Sequence, residues 1–324
     1  MVRPVQVCTV EWPRKRRTLK ENLEQGLLLI EEAAFLKPDI LCFPEYFLSP
    51  LPLVPVGSPF IDLSTASPIP GPITDAIGEK ATQYNMYAIC PMLEQDGDKF
   101  YNTAALIDRR GKVVGKYRKS YPTIDELKSG IRPGVNEEIF NTDFGKIGVL
   151  ICFDIQYPPL VETLVREGAE IVFFPAEFPA QTYVRGIAWQ YAVNVVSSIR
   201  ELGSQIVDLT GQVVAQGGGS RGGRGGEEHS ARDESYSRIP VIAAELNLDS
   251  KRFLYELDTS EKVRRISQKY GRQVEIRFFR PDDEIVISSI SNEVTLDEII
   301  REFGLEPKMQ YIQRCEEARN KAPA

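Results

Sequence analysis

Apolar residues recur along the chain with two different periods, which predict strands and helices in turn. The alternation in VQVCTV (5–10) predicts a first strand. Thr18 and Glu21 have the spacing of a capping box, and Leu23 and Leu27 follow at helical spacing, so a helix is expected from this point. Further strands are predicted at 40–43, 86–92, 147–151, 170–175 and 241–246, and further helices at 73–85, 158–167 and 180–192. This interleaving indicates an α/β fold.

Two turn signals inside this region predict hairpins. YNTAALID and KVVGKYRK flank the turn at 109–111, and QIVDLTGQVVAQ folds around Thr210 and Gly211. Hairpins join antiparallel strands, so the sheet system is expected to be mixed and not purely parallel. We therefore predict one α/β domain over residues 1–250.

The pattern changes after residue 250. The run IRFFRPDDEIVISSI (276–290) predicts a further hairpin, and VTLDEIIREFGL predicts a capped helix that starts at Thr295. No internal repeat links this part to the preceding domain. We assign residues 251–324 to a C-terminal extension that consists of a hairpin plus helices.

The charge balance and the cysteines limit the class of protein. A net charge of −7 over 324 residues argues against an extended nucleic-acid surface, which needs clustered Lys and Arg. The chain has no uncharged apolar stretch of about 18 residues and starts without a signal-like run, so we predict no membrane contact and a cytoplasmic location. Five scattered cysteines without a Cys-x-x-Cys pair argue for reduced thiols and against a structural zinc site.

The segment GGGSRGGRGG (217–226) is the one low-complexity stretch of the sequence. Its two Arg-Gly-Gly steps are similar to RNA-binding segments, but its glycine content predicts a flexible surface loop in an acidic chain. The single histidine, His229, follows this segment. A Ser-His or Cys-His nucleophile needs a positioned imidazole, so the sequence does not predict a catalytic system of that kind.

Three side chains with catalytic potential, Glu45, Lys119 and Cys152, each follow a predicted strand. Taken singly, a buried core cysteine and a solvated lysine are the ordinary explanations. Taken together, the three lie at strand ends, where α/β sheets gather catalytic groups. Glu45 can remove the thiol proton of Cys152, and Lys119 can stabilise negative charge that develops on a substrate. The backbone N–H of Phe153 is a second donor for that charge.

At these residues the chain resembles the nitrilase superfamily, the carbon–nitrogen hydrolases. FPEY carries Glu45, KYRKSYPT carries Lys119 and GVLICFD carries Cys152, in the order and at spacings similar to those of the superfamily. YNTAALID and QIVDLTGQVVAQ match as well, so the resemblance covers about residues 4 to 250. It implies a catalytic Glu-Lys-Cys triad, a four-layer αββα sandwich that pairs into homodimers or larger homo-oligomers, and no metal or organic cofactor.

The resemblance also implies a second glutamate a few residues after the lysine, which positions the lysine and the substrate. In PTIDELKSG the match is Glu126, with Asp125 beside it as the alternative. A solvated loop acid is the ordinary explanation for either carboxylate. Contacts to the substrate are implied for four further residues, namely Tyr46, Phe153, Ala176 and Glu177.

The resemblance favours an amide substrate and leaves the acyl group open. Phe153 and Asp154 resemble the Tyr-Asp pair that follows the nucleophile in amidase branches, whereas nitrile-cleaving members carry Trp-Glu. The alternatives with the same triad are hydrolysis of a nitrile and hydrolysis of an N-carbamoyl group. The chain departs from many relatives at 157–159, where Tyr-Pro-Pro replaces Phe-Pro-Glu, and it lacks a His-Trp pair after FFPAEFPAQ. A non-catalytic nitrilase-like interaction protein is the rival hypothesis, against which the complete triad argues.

Overall fold

The computed structural model describes residues 2–12, 18–50, 61–135, 139–200, 203–217, 241–279 and 282–322 of the chain. The strands, in chain order, are β1 (Pro4–Val10), β2 (Ile40–Cys42), β3 (Tyr87–Asp96), β4 (Lys99–Ile107), β5 (Val113–Arg118), β6 (Ile139–Asn141), β7 (Lys146–Val149), β8 (Ile171–Ala176), β9 (Asn194–Ile199), β10 (Gln205–Val207), β11 (Val213–Gln216), β12 (Val241–Asn247), β13 (Ser250–Leu254), β14 (Val274–Phe279) and β15 (Glu284–Ser289). The helices are α1 (Leu19–Ala34), α2 (Pro72–Gln83), α3 (Ile124–Lys128), α4 (Pro158–Arg166), α5 (Gln181–Tyr191), α6 (Leu257–Tyr270), α7 (Leu296–Phe303) and α8 (Lys308–Lys321).

Within the described ranges, two six-stranded sheets have the same arrangement of parallel and antiparallel strands. The first sheet has the strand order β12-β1-β2-β3-β4-β5, and the second sheet has the order β11-β10-β9-β8-β7-β6. Each contains three neighbouring parallel strands, β1-β2-β3 in the first and β7-β8-β9 in the second. Antiparallel strands flank these, and the hairpins β4–β5 and β10–β11 supply two edges. The predicted mixed sheets are confirmed.

The alternation of side chains along β1 shows how the layers are stacked. Val7 lies in one hydrophobic cluster with Phe173 of the second sheet, and α4 and α5 bury their apolar faces in the same cluster. The next residue, Cys8, points the other way, into a cluster with Ile30 of α1 and Ile77 of α2. The resulting order of helices, sheet, sheet and helices is the αββα sandwich that the sequence predicted, and this fold class is confirmed.

Beyond β12 the chain forms a third sheet with the strand order β13-β15-β14. Its hydrophobic core joins Ile287 of β15 to Ile266 of α6 and Ile299 of α7. The predicted hairpin is β14–β15, and the predicted helix is α7, whose capping box links Thr295 to Glu298. Both predictions are confirmed. Strand β13, which extends the hairpin to three strands, was not predicted from the sequence.

The third sheet is fixed to the sandwich by a buried arginine on β13. The Arg252 side chain is fully buried and forms an ion pair with Glu284. It donates hydrogen bonds to the backbone carbonyl oxygens of Trp189, at the end of α5, and of Leu209, and its guanidinium lies 3.9 Å from the centroid of the Trp189 ring. The extension therefore has its own core but a charged anchor in the sandwich, and the division into domains at residue 250 stays a prediction.

Two features singled out in the sequence lie outside the described residues. They are His229 and the Gly-Arg segment, of which the structure describes Gly217 alone. In the described ranges, no helix is both long enough and apolar enough to cross a membrane.

Candidate active site

The Glu-Lys-Cys set, defined as Glu45, Lys119 and Cys152, comes together where β2, β5 and β7 end. Glu45 lies three residues beyond β2, Lys119 directly follows β5, and Cys152 lies three residues beyond β7. Lys119 Nζ is 2.9 Å from Glu45 Oε1, and the charge of the Glu45 carboxylate is among the causes that raise the pKa of the Cys152 thiol. Because β2 and β7 are parallel-sheet strands of facing sheets, their carboxyl ends carry these side chains to one edge of the sandwich.

Lys119 lies between two carboxylates and is buried together with them. Its Nζ is 2.9 Å from Glu45 Oε1 and 2.8 Å from Glu126 Oε2, and the three side chains are at most 3% exposed. Burial alone would lower the pKa of Lys119, but the charges of Glu45 and Glu126 raise it above its ordinary value. The ammonium group therefore stays charged at neutral pH and can stabilise negative charge that develops beside it.

Glu126 reaches Lys119 because a short helix holds it in place. Thr123 caps α3 by accepting a hydrogen bond from the Glu126 N–H at 3.3 Å, and Glu126 Oε2 accepts one from the Thr123 N–H at 2.7 Å. Burial raises the pKa of Glu126, but Lys119 and these hydrogen bonds outweigh burial and lower it below the ordinary value. Asp125 is exposed on the same turn, so the structure brings Glu126, and not its neighbour, to the lysine.

Cys152 occupies a backbone conformation that few residues adopt. Its φ angle is +50°, at the start of the 3₁₀ turn Cys152–Gln156, and the side chain is 8% exposed. Burial raises the pKa of the Cys152 thiol well above its ordinary value, and Glu45 raises it further, while Lys119 acts in the opposite direction. The resting group is therefore a thiol, and an attack by its sulfur needs a base such as Glu45 to take the proton.

A family model for carbon–nitrogen hydrolases matches residues 2–223 of the chain. The chain belongs to this family. The matched region includes the whole Glu-Lys-Cys set and ends a few residues beyond β11, so it leaves the third sheet outside. The resemblance to the nitrilase superfamily that was predicted from the sequence is confirmed.

The relatives that the chain resembles include both amidases and nitrilases, and the chain spans about half to 60% of their length. The chain is 30% identical over 171 residues to the omega-amidase NIT2-B of Xenopus laevis, covering 50% of this chain and 60% of that protein. It is 30% identical over 168 residues to the bifunctional nitrilase/nitrile hydratase NIT4B of Lupinus angustifolius, covering 48% of each. The fold matches Nit3 of Saccharomyces cerevisiae, a member of branch 10 of the nitrilase superfamily, with a TM-score of 0.60, 22% identity and coverage of 76% of this chain and 90% of that one.

Two of the four predicted substrate contacts lie inside the hydrogen-bond network of the site. The hydroxyl of Tyr46 donates to Glu126 Oε1 at 2.9 Å, and the backbone N–H of Glu177 donates to Glu45 Oε2 at 3.1 Å. Ala176 is fully buried at the end of β8, and Phe153, directly after Cys152, is 37% exposed. Their roles in binding substrate stay predictions.

Two buried polar side chains join the site without having been predicted from the sequence. Asn102 on β4 places its Nδ2 2.8 Å from both carboxylates that flank Lys119. Arg200 directly follows β9 and donates hydrogen bonds to Glu177 Oε1 and to the backbone carbonyl oxygen of Tyr46, each at 2.9 Å. Arg200 is a charged residue directly after an apolar strand, which is the same sequence feature that identified the Glu-Lys-Cys set. For Asn102, the only sequence feature is an amide inside the buried run YNTAALID.

Asp154 connects the turn that begins at Cys152 to the segment that carries Lys119. Its Oδ2 accepts hydrogen bonds from the hydroxyl of Tyr117 at 2.8 Å and from the N–H of Ile151 at 3.0 Å, and its Oδ1 accepts one from the N–H of Tyr121 at 2.8 Å. Burial raises the pKa of Asp154 to about 6. One carboxylate therefore links the segment that carries Lys119 to the segment that carries Cys152.

Proposed function

We propose that the protein hydrolyses a small linear amide to a carboxylic acid and ammonia or an amine, through a thioester on Cys152. The observation that carries the proposal is the buried ion pair of Glu45 with Lys119, at the strand ends where Cys152 also lies. A carboxylate, an ammonium group and a thiol in one site supply a base, a stabiliser of negative charge and a nucleophile. Membership of the carbon–nitrogen hydrolase family supports this assignment of roles.

In the first half of the reaction, Glu45 takes the thiol proton while the Cys152 sulfur bonds to the carbonyl carbon of the amide. The carbonyl oxygen becomes negatively charged and is stabilised by the Lys119 ammonium group and the backbone N–H of Phe153. Glu45 then gives its proton to the departing nitrogen, the carbon–nitrogen bond breaks, and the acyl group remains on sulfur as a thioester.

In the second half, water replaces the thiol as nucleophile. Glu45 takes a proton from the water as its oxygen bonds to the thioester carbon, and Lys119 again stabilises the charged oxygen. The carbon–sulfur bond breaks, the acid leaves, and the proton held by Glu45 returns to Cys152. This return is favoured because burial raises the pKa of the thiol.

The substrate class within this chemistry is set by the acyl group and the bond that is cleaved. We favour an amide because Phe153 and Asp154 resemble the Tyr-Asp pair that follows the nucleophile in amidase branches. A nitrile or an N-carbamoyl compound is the alternative. Ammonia release from short amides, dicarboxylic monoamides, carbamoyl amino acids and nitriles distinguishes them. Turnover of no compound would favour the non-catalytic interaction protein. Assembly into a homodimer or larger homo-oligomer and a cytoplasmic location stay predictions.

Hydroxylamine is expected to intercept the thioester during turnover of any accepted amide. Thioesters react readily with amine nucleophiles, so part of the acid product should be replaced by hydroxamate. The rate of ammonia release should stay constant or rise, because hydroxylamine bypasses only the second half of the reaction. Mass spectrometry of rapidly quenched enzyme should find the acyl mass on the peptide that contains Cys152.

The other four cysteines serve as internal controls in this experiment. Cys8, Cys42 and Cys90 are buried, and Cys315 is exposed. An acyl mass on Cys315 alone would indicate chemical acylation of a surface thiol. An accepted amide that gives neither hydroxamate nor an adduct on Cys152 would contradict the thioester mechanism.

Glu126→Gln is expected to lower turnover by about 10²-fold without preventing acylation of Cys152, because Glu126 positions Lys119 and takes no proton. Glutamine keeps the shape of the side chain but cannot pair its charge with the ammonium group at 2.8 Å. Single-turnover kinetics with a quenched-flow readout of the acyl enzyme measures acylation separately from release of the acid.

The matched control is Asp125→Asn, which makes the same chemical change on the exposed side of α3. This variant should keep the activity of the wild-type protein. Equal losses in the two variants, or none in Glu126→Gln, would return Glu126 to the role of an ordinary structural acid.

A further inference from the structure

Asn102 is bonded to both glutamates of the site. Its side chain is fully buried on β4, and its Nδ2 lies 2.8 Å from Glu45 Oε1 and 2.8 Å from Glu126 Oε1. Lys119 binds the same two carboxylates from another direction, at 2.9 Å and 2.8 Å. The Asn102 backbone carbonyl also accepts the N–H of Lys119 at 2.8 Å. The amide and the ammonium group therefore close a ring with the two carboxylates.

The ring has one positive charge for two negative charges. Neutral donors must satisfy the remaining acceptor positions, and the two hydrogens of the Asn102 amide do so, together with the hydroxyl of Tyr46 on Glu126. The orientation of the amide follows from its neighbours, since its oxygen would be repelled by two carboxylates. In the described part of the chain, Asn102 Oδ1 has no hydrogen-bond partner. A buried amide that leaves one atom unsatisfied is costly, which points to a role other than stability.

The two oxygens of Glu45 have different surroundings. Oε1 accepts hydrogen bonds from both Lys119 and Asn102. Oε2 accepts the N–H of Glu177 at 3.1 Å. Because two hydrogen bonds occupy Oε1 and one occupies Oε2, Oε2 keeps an acceptor position for the proton of the nucleophile.

We propose that Asn102 is a positioning residue that holds Oε1 of Glu45 and so directs Oε2 to the proton of Cys152. This inference rests on the proposed function, in which Glu45 is the base. The charged and titratable groups that face Glu45 are Lys119 after β5, Glu126 on α3, Cys152 after β7, Tyr46 on its own loop and Glu177 after β8. Asn102 donates to both carboxylates beside a single lysine.

The test measures alkylation of Cys152 by iodoacetamide as a function of pH, in Asn102→Leu and in the parent protein. Both carry Cys315→Ser, because Cys315 is exposed and would also react. Leucine has a similar volume but donates no hydrogen bond to the carboxylates. Without these donors, Oε1 is no longer held and Oε2 is no longer directed to the thiol, so the whole profile should shift to rates about tenfold lower.

The matched control is Asn194→Leu, a buried asparagine on β9 that bonds to the backbone of Glu170 and Leu209. Its loss should lower the melting temperature and leave the alkylation profile unchanged. A profile of Asn102→Leu that coincides with that of the parent, or moves no more than that of Asn194→Leu, overturns the proposal. If Asn102→Leu does not fold, Asn102→Ser serves in its place, since its short hydroxyl cannot reach both carboxylates.

Alkylation consumes no amide, so the result does not depend on finding a substrate. A shifted profile in a protein that turns over no amide would support the positioning role and contradict the proposed function. An unshifted profile in a protein that turns over amides would overturn the positioning role and leave the proposed function standing.

Discussion

Cys152→Ala is expected to abolish amide hydrolysis, with a loss of at least about 10⁴-fold in kcat, while the protein stays folded. Alanine removes the nucleophile but keeps Glu45 and Lys119 in place. The thiol is 8% exposed, so its replacement by a methyl group leaves only a small void at the edge of the sandwich. Ammonia release and the melting temperature of the purified variant are the measurements.

Cys42→Ala provides the matched control for this substitution. Cys42 is a fully buried thiol at the end of β2, in the same hydrophobic cluster as Cys152 but outside the hydrogen-bond network of the site. This variant should lose some stability and keep its activity. Ammonia release above about 1% of the wild-type rate in Cys152→Ala would mean that the sulfur is not the nucleophile.

Lys119→Met is expected to lose about 10³-fold in kcat and to become less stable by about 3–5 kcal/mol at neutral pH. Methionine is unbranched and fits the space of the lysine stem, so the cost comes from the missing charge. The substitution leaves the carboxylates of Glu45 and Glu126 buried beside each other without the ammonium group that lies 2.9 Å and 2.8 Å from them. Kinetics and thermal unfolding as a function of pH measure the two effects.

The pH dependence of stability should also change sign in Lys119→Met. In the wild-type protein the pKa of Glu126 is lowered, so its contribution is present above the unfolded pKa of about 4.3 and is lost as the pH falls. Without Lys119, burial raises the pKa of Glu126 above the unfolded value. Stability is then greatest at low pH and is lost as the pH rises, so the deficit of the variant should shrink between about pH 8 and about pH 5.

Lys116→Met is the control for the lysine substitution. Lys116 lies on the same strand, β5, is 36% exposed and pairs with Glu94 at 2.5 Å. This variant should keep wild-type kcat and show no reversal of its pH dependence. A deficit in Lys119→Met that grows toward low pH would contradict the charge arrangement that we describe.

The sequence could predict those residues of the candidate site whose immediate neighbours along the chain mark them as unusual. Glu45, Lys119 and Cys152 each follow an apolar run, and a carboxylate or a nucleophile at such a position is unusual without a partner. Their order along the chain was enough to suggest the family, and through it the αββα sandwich. Glu126 needed the structure to be separated from Asp125, because only the capping box with Thr123 decides which carboxylate points inward.

The contacts of Asn102 and Arg200 could not be predicted, because each depends on which strands are neighbours. Asn102 is one polar residue in a buried strand, and its meaning appears only when β4 is placed between β3 and β5. Arg200 meets Glu177 because β8 and β9 are paired in parallel, with Ala176 opposite Ile199. Asn102 and Arg200 are distant in sequence from the residues that they contact, so the sequence does not reveal these contacts. The hydrophobic period within each strand, in contrast, is visible in the sequence.

The C-terminal helices were harder to predict than those of the sandwich for a physical reason. All residues of α8 are at least partly exposed, so its sequence contains no apolar stripe of the kind that identified α1 and α4. Helix α7, in contrast, carries a capping box and buries Leu296, Ile299 and Phe303. Hydrophobic periodicity therefore identifies α7, which covers a core, and overlooks α8, which lies mostly in solvent.

The burial of Arg252 against α5 has a consequence for how the molecule unfolds. Separating the third sheet from the sandwich would leave the carbonyl oxygens of Trp189 and Leu209 without this donor, and it would expose the face of the indole ring that now lies 3.9 Å from the guanidinium. Opening at this interface is therefore far more costly than fraying of a terminus, although each part has its own hydrophobic core. The extension and the sandwich should melt in one cooperative transition, and cleavage of the short link between β12 and β13 should leave the two fragments associated.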